Sequence, residues 1–167
     1  MSSKLSFMKN GIAQIAFVVK DLEKTVENFY HIFGVGPWSF YTYKKPLLKE
    51  MNRNGKPTEY SMRIALANIG PMRIELIEQQ TGDTVYQEFI DKHNYGIQHL
   101  GIVVDDIEEA LESAKKANLK VTMDGSGFGL DGDGKYAYLD TEELIGTTLE
   151  LISRPKNRVE PEKVYPS

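Results

Sequence analysis

The sequence predicts an α+β fold built from two βαβββ modules, and three observations predict it. The first is an internal repeat. Gly11-Ile12-Ala13-Gln14-Ile15-Ala16-Phe17-Val18-Val19-Lys20-Asp21-Leu22-Glu23 lines up without a gap on Gly96-Ile97-Gln98-His99-Leu100-Gly101-Ile102-Val103-Val104-Asp105-Asp106-Ile107-Glu108, and such self-similarity marks a duplicated supersecondary unit. The second is the content of each copy, which runs from a short apolar strand through an Asp suited to capping into an amphipathic helix. The third is a set of three further strand-like stretches after each helix, the last of them preceded by turn chemistry at Gly70-Pro71 and at Ile145-Gly146.

Taken in order, residues 12–19 alternate as a strand and Asp21 opens a helix whose apolar stripe is Leu22, Val26, Phe29 and Tyr30. Strands are then expected over 38–43, 60–67 and 72–78. Residues 84–92 read as a linking helix with Val85, Phe89 and Ile90 on its apolar face. The second copy supplies a strand from Gly96, a cap at Asp106, a stripe of Ile107, Leu111 and Ala114, and strands over 120–123, 136–140 and 148–153. The expected organisation is one domain over 1–167, with module 10–82 joined to module 95–155 by a helical linker, 83–94. The charged, Pro-containing segment 156–167 is expected to be loose.

Composition narrows the chemistry. A chain of 167 residues can bury a sound core without disulfides. The absence of cysteine removes thiolate metal sites and thiol nucleophiles, so a metal must be held by His, Glu, Asp, Gln or water. A net charge of −4 gives no basic footprint for nucleic acid. No apolar run approaches the roughly 18 residues of a membrane span, and the first residues lack the apolar core of a signal peptide. A cytoplasmic protein with a small-molecule substrate, and with neither nucleic acid nor membrane as partner, is the expectation.

Within the repeat, Gln14 and His99 hold the same place on the first strand of their modules. Glu75 and Glu150 hold the same place on the last, since Met72-Arg73-Ile74-Glu75-Leu76-Ile77 matches Thr147-Thr148-Leu149-Glu150-Leu151-Ile152. Side chains alternate along a strand, which puts Gln14 on a face with Ala16 and Val18, and His99 with Gly101 and Val103. A polar group beside a small one leaves room for a ligand. Both glutamates sit between apolar neighbours, where a carboxylate without a partner is too costly to keep ionised. Singly, each of the four reads equally well as the wet face of a half-buried sheet. Their recurrence in both halves favours convergence across a pseudo-twofold axis on one divalent cation, with N/O donors that suit Zn, Ni, Co, Mn or Fe.

At these residues the chain resembles the vicinal oxygen chelate superfamily, which includes glyoxalase I, methylmalonyl-CoA epimerase, extradiol dioxygenases and bleomycin-resistance proteins. The resemblance covers about residues 10–154. Lys92-His93-Asn94-Tyr95-Gly96, Gln98-His99 and Val104-Asp105-Asp106-Ile107 are most similar to methylmalonyl-CoA epimerases. The set Gln14, Glu75, His99, Glu150 is similar to the ligands of eukaryotic-type glyoxalase I; epimerases more often carry His and Gln at the first two places. The resemblance implies an eight-stranded sheet cupped around the metal, commonly in a homodimer. It implies a metal-dependent epimerase, racemase or isomerase that removes a proton next to a carbonyl and passes through an enolate, with a CoA thioester or another acidic or aromatic carbonyl compound as substrate. It also implies that Glu150 serves as both ligand and base, and Glu59 roughly matches the second base of the epimerases, although its turn-like setting also fits a solvated strand end. A lactoylglutathione lyase is the close alternative. A protein that holds an aromatic ligand or antibiotic without turnover is the alternative from another class. A two-His, one-carboxylate dioxygenase fits less well, because the first position is Gln14.

The remaining features have competing readings. The aromatic run Trp38, Phe40, Tyr41, Tyr43 makes either a pocket wall, through Phe40 or Tyr43, or a cover between helix and sheet. Lys44, Lys45, Lys49 and Arg53 read as an anion-attracting run or as a solvated loop. The Gly-rich run 124–134 fits neither a phosphate loop nor an EF-hand and is expected to be a mobile loop over the cup. His31 and His93 are expected at helix ends.

Overall fold

The computed structural model describes residues 4–167. After a short 3-10 helix at Ser6–Asn10, the first module begins with β1 (Gln14–Val18) and α1 (Leu22–Phe33). The Asp21 side chain accepts from the Lys24 N–H, satisfying one of the free donors of the first turn, and Gly34 closes α1 in the left-handed region at φ 68°. Next come β2 (Trp38–Tyr43), β3 (Glu50–Arg53), β4 (Lys56–Pro57), β5 (Ser61–Ile69), β6 (Met72–Thr81) and the linking helix α2 (Val85–His93). The second module repeats the plan with β7 (Gly96–Val103), α3 (Ile107–Lys116), β8 (Val121–Phe128), β9 (Gly134–Leu139), a short α4 (Glu142–Ile145) and β10 (Thr148–Ser153); β11 (Lys163–Tyr165) comes last. Asp106 caps α3 as Asp21 caps α1.

All strands join one strongly curled open sheet in the order β11-β2-β5-β6-β1-β7-β10-β9-β8-β3-β4. Its centre is the antiparallel pair β1/β7, and outward from it the two modules repeat each other: β6 runs parallel to β1, and β10 parallel to β7. The period of two sorts the side chains. Leu22 and Val26 of α1 pack on Trp38, Phe40, Ala65 and Leu76 on the convex side, while Ile107, Ala110 and Ala114 of α3 pack on Ile102, Leu149 and Leu151. Each such fully buried Leu, Ile or Val contributes about 1.5–3 kcal/mol. The concave side is lined by Ala16, Val18, Tyr41, Tyr43, Ile64, Ile77, Tyr136 and Tyr138, and Val85 and Tyr86 of α2 join that lining. Trp38 and Phe40 therefore cover the helix, and Tyr43 faces the cup.

Four expectations are corrected. The eight repeat strands are present, but three more extend the sheet to eleven. Asn54-Gly55, both at positive φ, turns the hairpin β3/β4, a local signal absent from the strands expected above. β3 then leaves its own module and pairs with β8 of the other, Met51 opposite Gly125. For that reason the Gly-rich run is no free loop. Residues through Phe128 belong to β8, held between β9 and β3, and a Cβ on Gly125 would collide with the Tyr136 phenol. The segment expected to be loose folds back as β11 on the edge of β2, Lys163 opposite Phe40. Arg53 is not part of a solvated loop; its guanidinium is buried and binds Asp83 at 3.2 Å, Glu88 at 2.5 Å and the Thr122 carbonyl at 2.9 Å.

Candidate metal centre

Strand register brings the four singled-out side chains to one point. In the parallel pairs, Glu75 lies beside Ala16 and Glu150 beside Gly101. Across the central antiparallel pair, Gln14 faces Gly101 and His99 faces Ala16. Each carboxylate thus stands next to a small residue that itself faces the other module's nitrogen-bearing side chain. The close approach is strictest at Gly101, where a Cβ would lie 2.9 Å from the Gln14 Cβ and 2.8 Å from the Ile152 Cδ1. A side chain there would push Gln14 out of the site.

His99 Nε2 lies 2.9 Å from Glu150 Oε2 and 3.5 Å from Glu75 Oε2. The Gln14 amide donates to Glu75 at 3.0 Å and to Glu150 at 3.1 Å. All four residues are buried, His99 completely. Among the described residues no buried side-chain nitrogen or oxygen lacks a partner, so the cluster satisfies itself through the amide and a protonated imidazole. Burial works against the His99 imidazolium, but the Glu150 and Glu75 carboxylates outweigh it and push the pKa up to about 9. Burial also raises the Glu150 carboxyl above its usual range, an effect that His99 and the Tyr138 phenol only partly offset.

This donor set fits a divalent cation. Glu75, His99 and Glu150 each offer a ligand atom, all within 4.8 Å of one another. Two buried carboxylates with one imidazole carry a charge that a dication would neutralise more completely than one proton does. A half-turn of the Gln14 amide replaces its NH2 by its oxygen, the donor atom a cation needs. The next layer is also in place. A β-bulge opposite Ala16/Phe17 lets both Gln98 and His99 be buried, and Gln98 Oε1 accepts from His99 Nδ1 at 2.6 Å. That contact fixes the tautomer with Nε2 directed at the carboxylates. Tyr138 stands edge-on to His99, ring centroids 4.9 Å apart, and bonds the Tyr86 phenol at 2.6 Å.

Gln14, Glu75 and Glu150 line a pocket with about 440 Å³ of atom-free space, counting its open mouth, and His99 lies buried behind them. Tyr43, Phe128, Tyr136 and Tyr138 make aromatic walls, and Arg73 and Arg158 stand with them. Sequence reasoning missed Gln98, Tyr86 and Tyr138. Tyr136 and Tyr138 share a strand face and were within reach of a period-two argument, whereas Gln98 was hidden by the bulge, which no local signal announces. Glu59 is not brought to the site: its carboxylate is 75% exposed and bonds Lys45 at 2.6 Å. The cause is alternation, since the neighbouring Tyr60 takes the inward direction and its phenol bonds Tyr136. His31 bonds the Tyr165 phenol and His93 bonds Glu142, both at the surface.

Comparison with known proteins bears on the family and the fold. The model of a family described as the Glyoxalase/Bleomycin resistance protein/Dioxygenase superfamily matches residues 13–138, a span that takes in Gln14, Glu75 and His99 and stops before Glu150. A curated relative, the uncharacterized protein YqjC of Bacillus subtilis, is 25% identical over 93 residues, 56% of this chain and 66% of its own length. The chain therefore spans just under two thirds of that relative. Among solved structures, a hypothetical protein from Bacillus halodurans superposes with a TM-score of 0.61 at 19% identity, covering 89% of this chain and 97% of that one. A variant of Streptomyces coelicolor methylmalonyl-CoA epimerase in complex with 2-nitronate-propionyl-CoA gives 0.62 at 19% identity, with 85% and 95% covered. Methylmalonyl-CoA epimerase from Mycobacterium tuberculosis gives 0.62 at 17%, with 87% and 89% covered. At these identities the likeness speaks for the fold.

Proposed function

Because the chain belongs to the Glyoxalase/Bleomycin resistance protein/Dioxygenase superfamily, we propose that it is a metal-dependent epimerase or isomerase that moves a proton at a carbon next to a carbonyl. The observation that carries this reading is the meeting of Gln14, Glu75, His99 and Glu150 at an aromatic pocket. Those four residues would hold the ion. When bound, a divalent cation withdraws charge from the carbonyl oxygen and so acidifies the adjacent C–H.

The chain's own groups do the rest. Glu150 takes the proton; it is buried at the pocket lining, 2.9 Å from His99 Nε2. Tyr138, opposite Glu150 in strand register, remains a neutral phenol, since burial pushes its pKa well above 10, and its hydroxyl bonds Tyr86. Glu75 reaches the centre from β6, on the other side of the β1/β7 pair from Glu150 on β10. The two carboxylates stand side by side, their ligand atoms within 4.8 Å of each other, so a proton removed by one can be returned by its neighbour. Glu75 takes the second role in place of the exposed Glu59. The aromatic walls exclude water from the transfer.

The test is metal analysis of the purified protein, then proton–deuterium exchange in heavy water at the carbon next to the carbonyl, with methylmalonyl-CoA as the first probe because several structural neighbours are its epimerases. Metal-dependent exchange that vanishes in Glu150→Gln while the metal stays bound supports the reading. Undiminished exchange in that variant removes Glu150 from the role. The Gln, Glu, His, Glu set also supports a lactoylglutathione lyase, and turnover of a glutathione hemithioacetal without exchange of the thioester would establish that alternative.

A further inference from the structure

We propose that Arg73, Arg154 and Arg158 form an oxyanion-binding tripod at the mouth of the pocket, so that the substrate is an acid whose anionic group rests there while its carbonyl reaches the four-residue cluster. The inference deepens the proposed function and rests on it for taking the pocket as a substrate site. Strand register places the first arginine and chain connectivity the second. Arg73 is two residues before Glu75 on β6 and pairs in register with Gln14, so it shares the cup face with both. Arg154 is exposed, one residue past the end of β10 and two past Ile152 of the pocket lining. Because β1 and β7 are antiparallel, the start of β6 and the end of β10 come to the same end of the cup. The bond from the Arg73 N–H to the Ala13 carbonyl, and from the Ala13 N–H to the Gly101 carbonyl, ties that end together.

The third arginine arrives from the segment between β10 and β11. The Arg158 guanidinium lies 5.9 Å from the centre of the Tyr41 ring, and its Nη1 is 3.4 Å from the Tyr43 hydroxyl that lines the pocket. Arg154 and Arg158 are both close enough to repel the Arg73 charge. Of the chain's five arginines, Arg53 and Arg63 are held by carboxylates. Glu75, two residues along β6, offsets part of the Arg73 charge, but none of the three at the mouth has a carboxylate ion pair among the described residues. An oxyanion shared between them relieves their mutual repulsion while accepting charge-assisted hydrogen bonds. At the other end of the molecule, by α2, Glu88 and Glu142 are paired with Arg53, Lys92 and His93, so the unpaired arginine charge lies at the mouth and draws an anion there.

A carboxylate on the substrate's acyl part and a phosphate on its carrier share this chemistry. The experiment uses the metal-free, full-length protein, so that neither turnover nor a bound ion enters. Malonate, inorganic phosphate and neutral malonamide are titrated by calorimetry into the parent protein and into Arg73→Gln, Arg154→Gln and Arg158→Gln. The expected result is binding of at least one anion and none of malonamide, with affinity lowered about 10-fold or more in Arg73→Gln and Arg158→Gln and about 3-fold or more in the exposed Arg154→Gln. Preference for malonate marks a carboxylate substrate, and preference for phosphate a phosphorylated carrier. The exposed Arg154→Gln variant keeps the test valid if a more buried replacement unfolds. Anion binding absent from the parent, or undiminished in folded variants, overturns the proposal. Failure of the deuterium exchange with anion binding intact would remove the epimerase reading and leave the tripod standing.

Discussion

The two modules share a backbone plan down to strand register, yet they furnish the candidate centre unequally. The second module contributes His99, completely buried and locked by Gln98, together with Glu150 and the Tyr138 phenol. The first contributes Gln14 and Glu75, and two residues along β6 from Glu75 it carries Arg73 toward the open mouth. Where the second module has Thr148 in register with His99, the first has Arg73 in register with Gln14. The comparison teaches how one duplicated frame is furnished differently: four equivalent positions meet at one point, where the second half supplies an imidazole with its own orienting amide and the first supplies an amide, a carboxylate and Arg73.

The largest expected effect falls on His99. His99→Ala should reduce bound metal to background by elemental analysis, while Gln14→Ala, which removes a neutral amide, should retain a measurable fraction; equal losses would break the proposed inequality. Next in size, Gln98→Ala should weaken metal affinity about 10- to 100-fold in a chelator competition, because the imidazole loses the contact that orients it. An affinity matching the parent's would make Gln98 mere packing.

Gly101→Ala should destabilise the fold by about 1–3 kcal/mol in urea unfolding, since its Cβ has no room beside Gln14 and Ile152. Its counterpart Ala16 already carries a Cβ, so the same change probes a difference between halves rather than a general intolerance of the sheet. Smaller still is a pH effect on the metal-free protein. His99 has a folded pKa raised to about 9 against 6.5 for the free side chain, so its contribution is fully present below about pH 6.5 and is lost as pH rises through 9. The melting temperature should therefore fall between those values in the parent and fall less in His99→Gln, and parallel curves for the two proteins would refute the assignment. The smallest expectation is for Glu59→Gln, which should change stability by less than about 0.5 kcal/mol and leave deuterium exchange intact, because its ion pair with Lys45 is exposed.

Much of this was legible in the residues. The repeat from Gly11 and Gly96, the capping aspartates and the period-two alternation gave both modules, both helices and the four residues that meet, because strand position and helix phase are local properties of the chain. The reading failed where a partner distant in sequence decides the outcome. Glu59 matched a position in a pattern, but the direction of one side chain depends on which neighbour the curled sheet turns inward, and Tyr60 took that place. The glycines after Asp124 read as a loop because β3, which pairs with them, lies some 70 residues earlier in the chain.

By itself, then, the sequence determined the duplicated α+β plan and the presence of an imidazole, an amide and two carboxylates at equivalent places, since these arise from short-range periodicity. Only the tertiary structure decided that β3 crosses to the other module, that a bulge buries Gln98 behind His99, and that Arg73 and Arg158 line one pocket. Each of those depends on how far the sheet curls and on which strands become neighbours, and that is fixed by packing across the whole cup rather than by any stretch of chain within it.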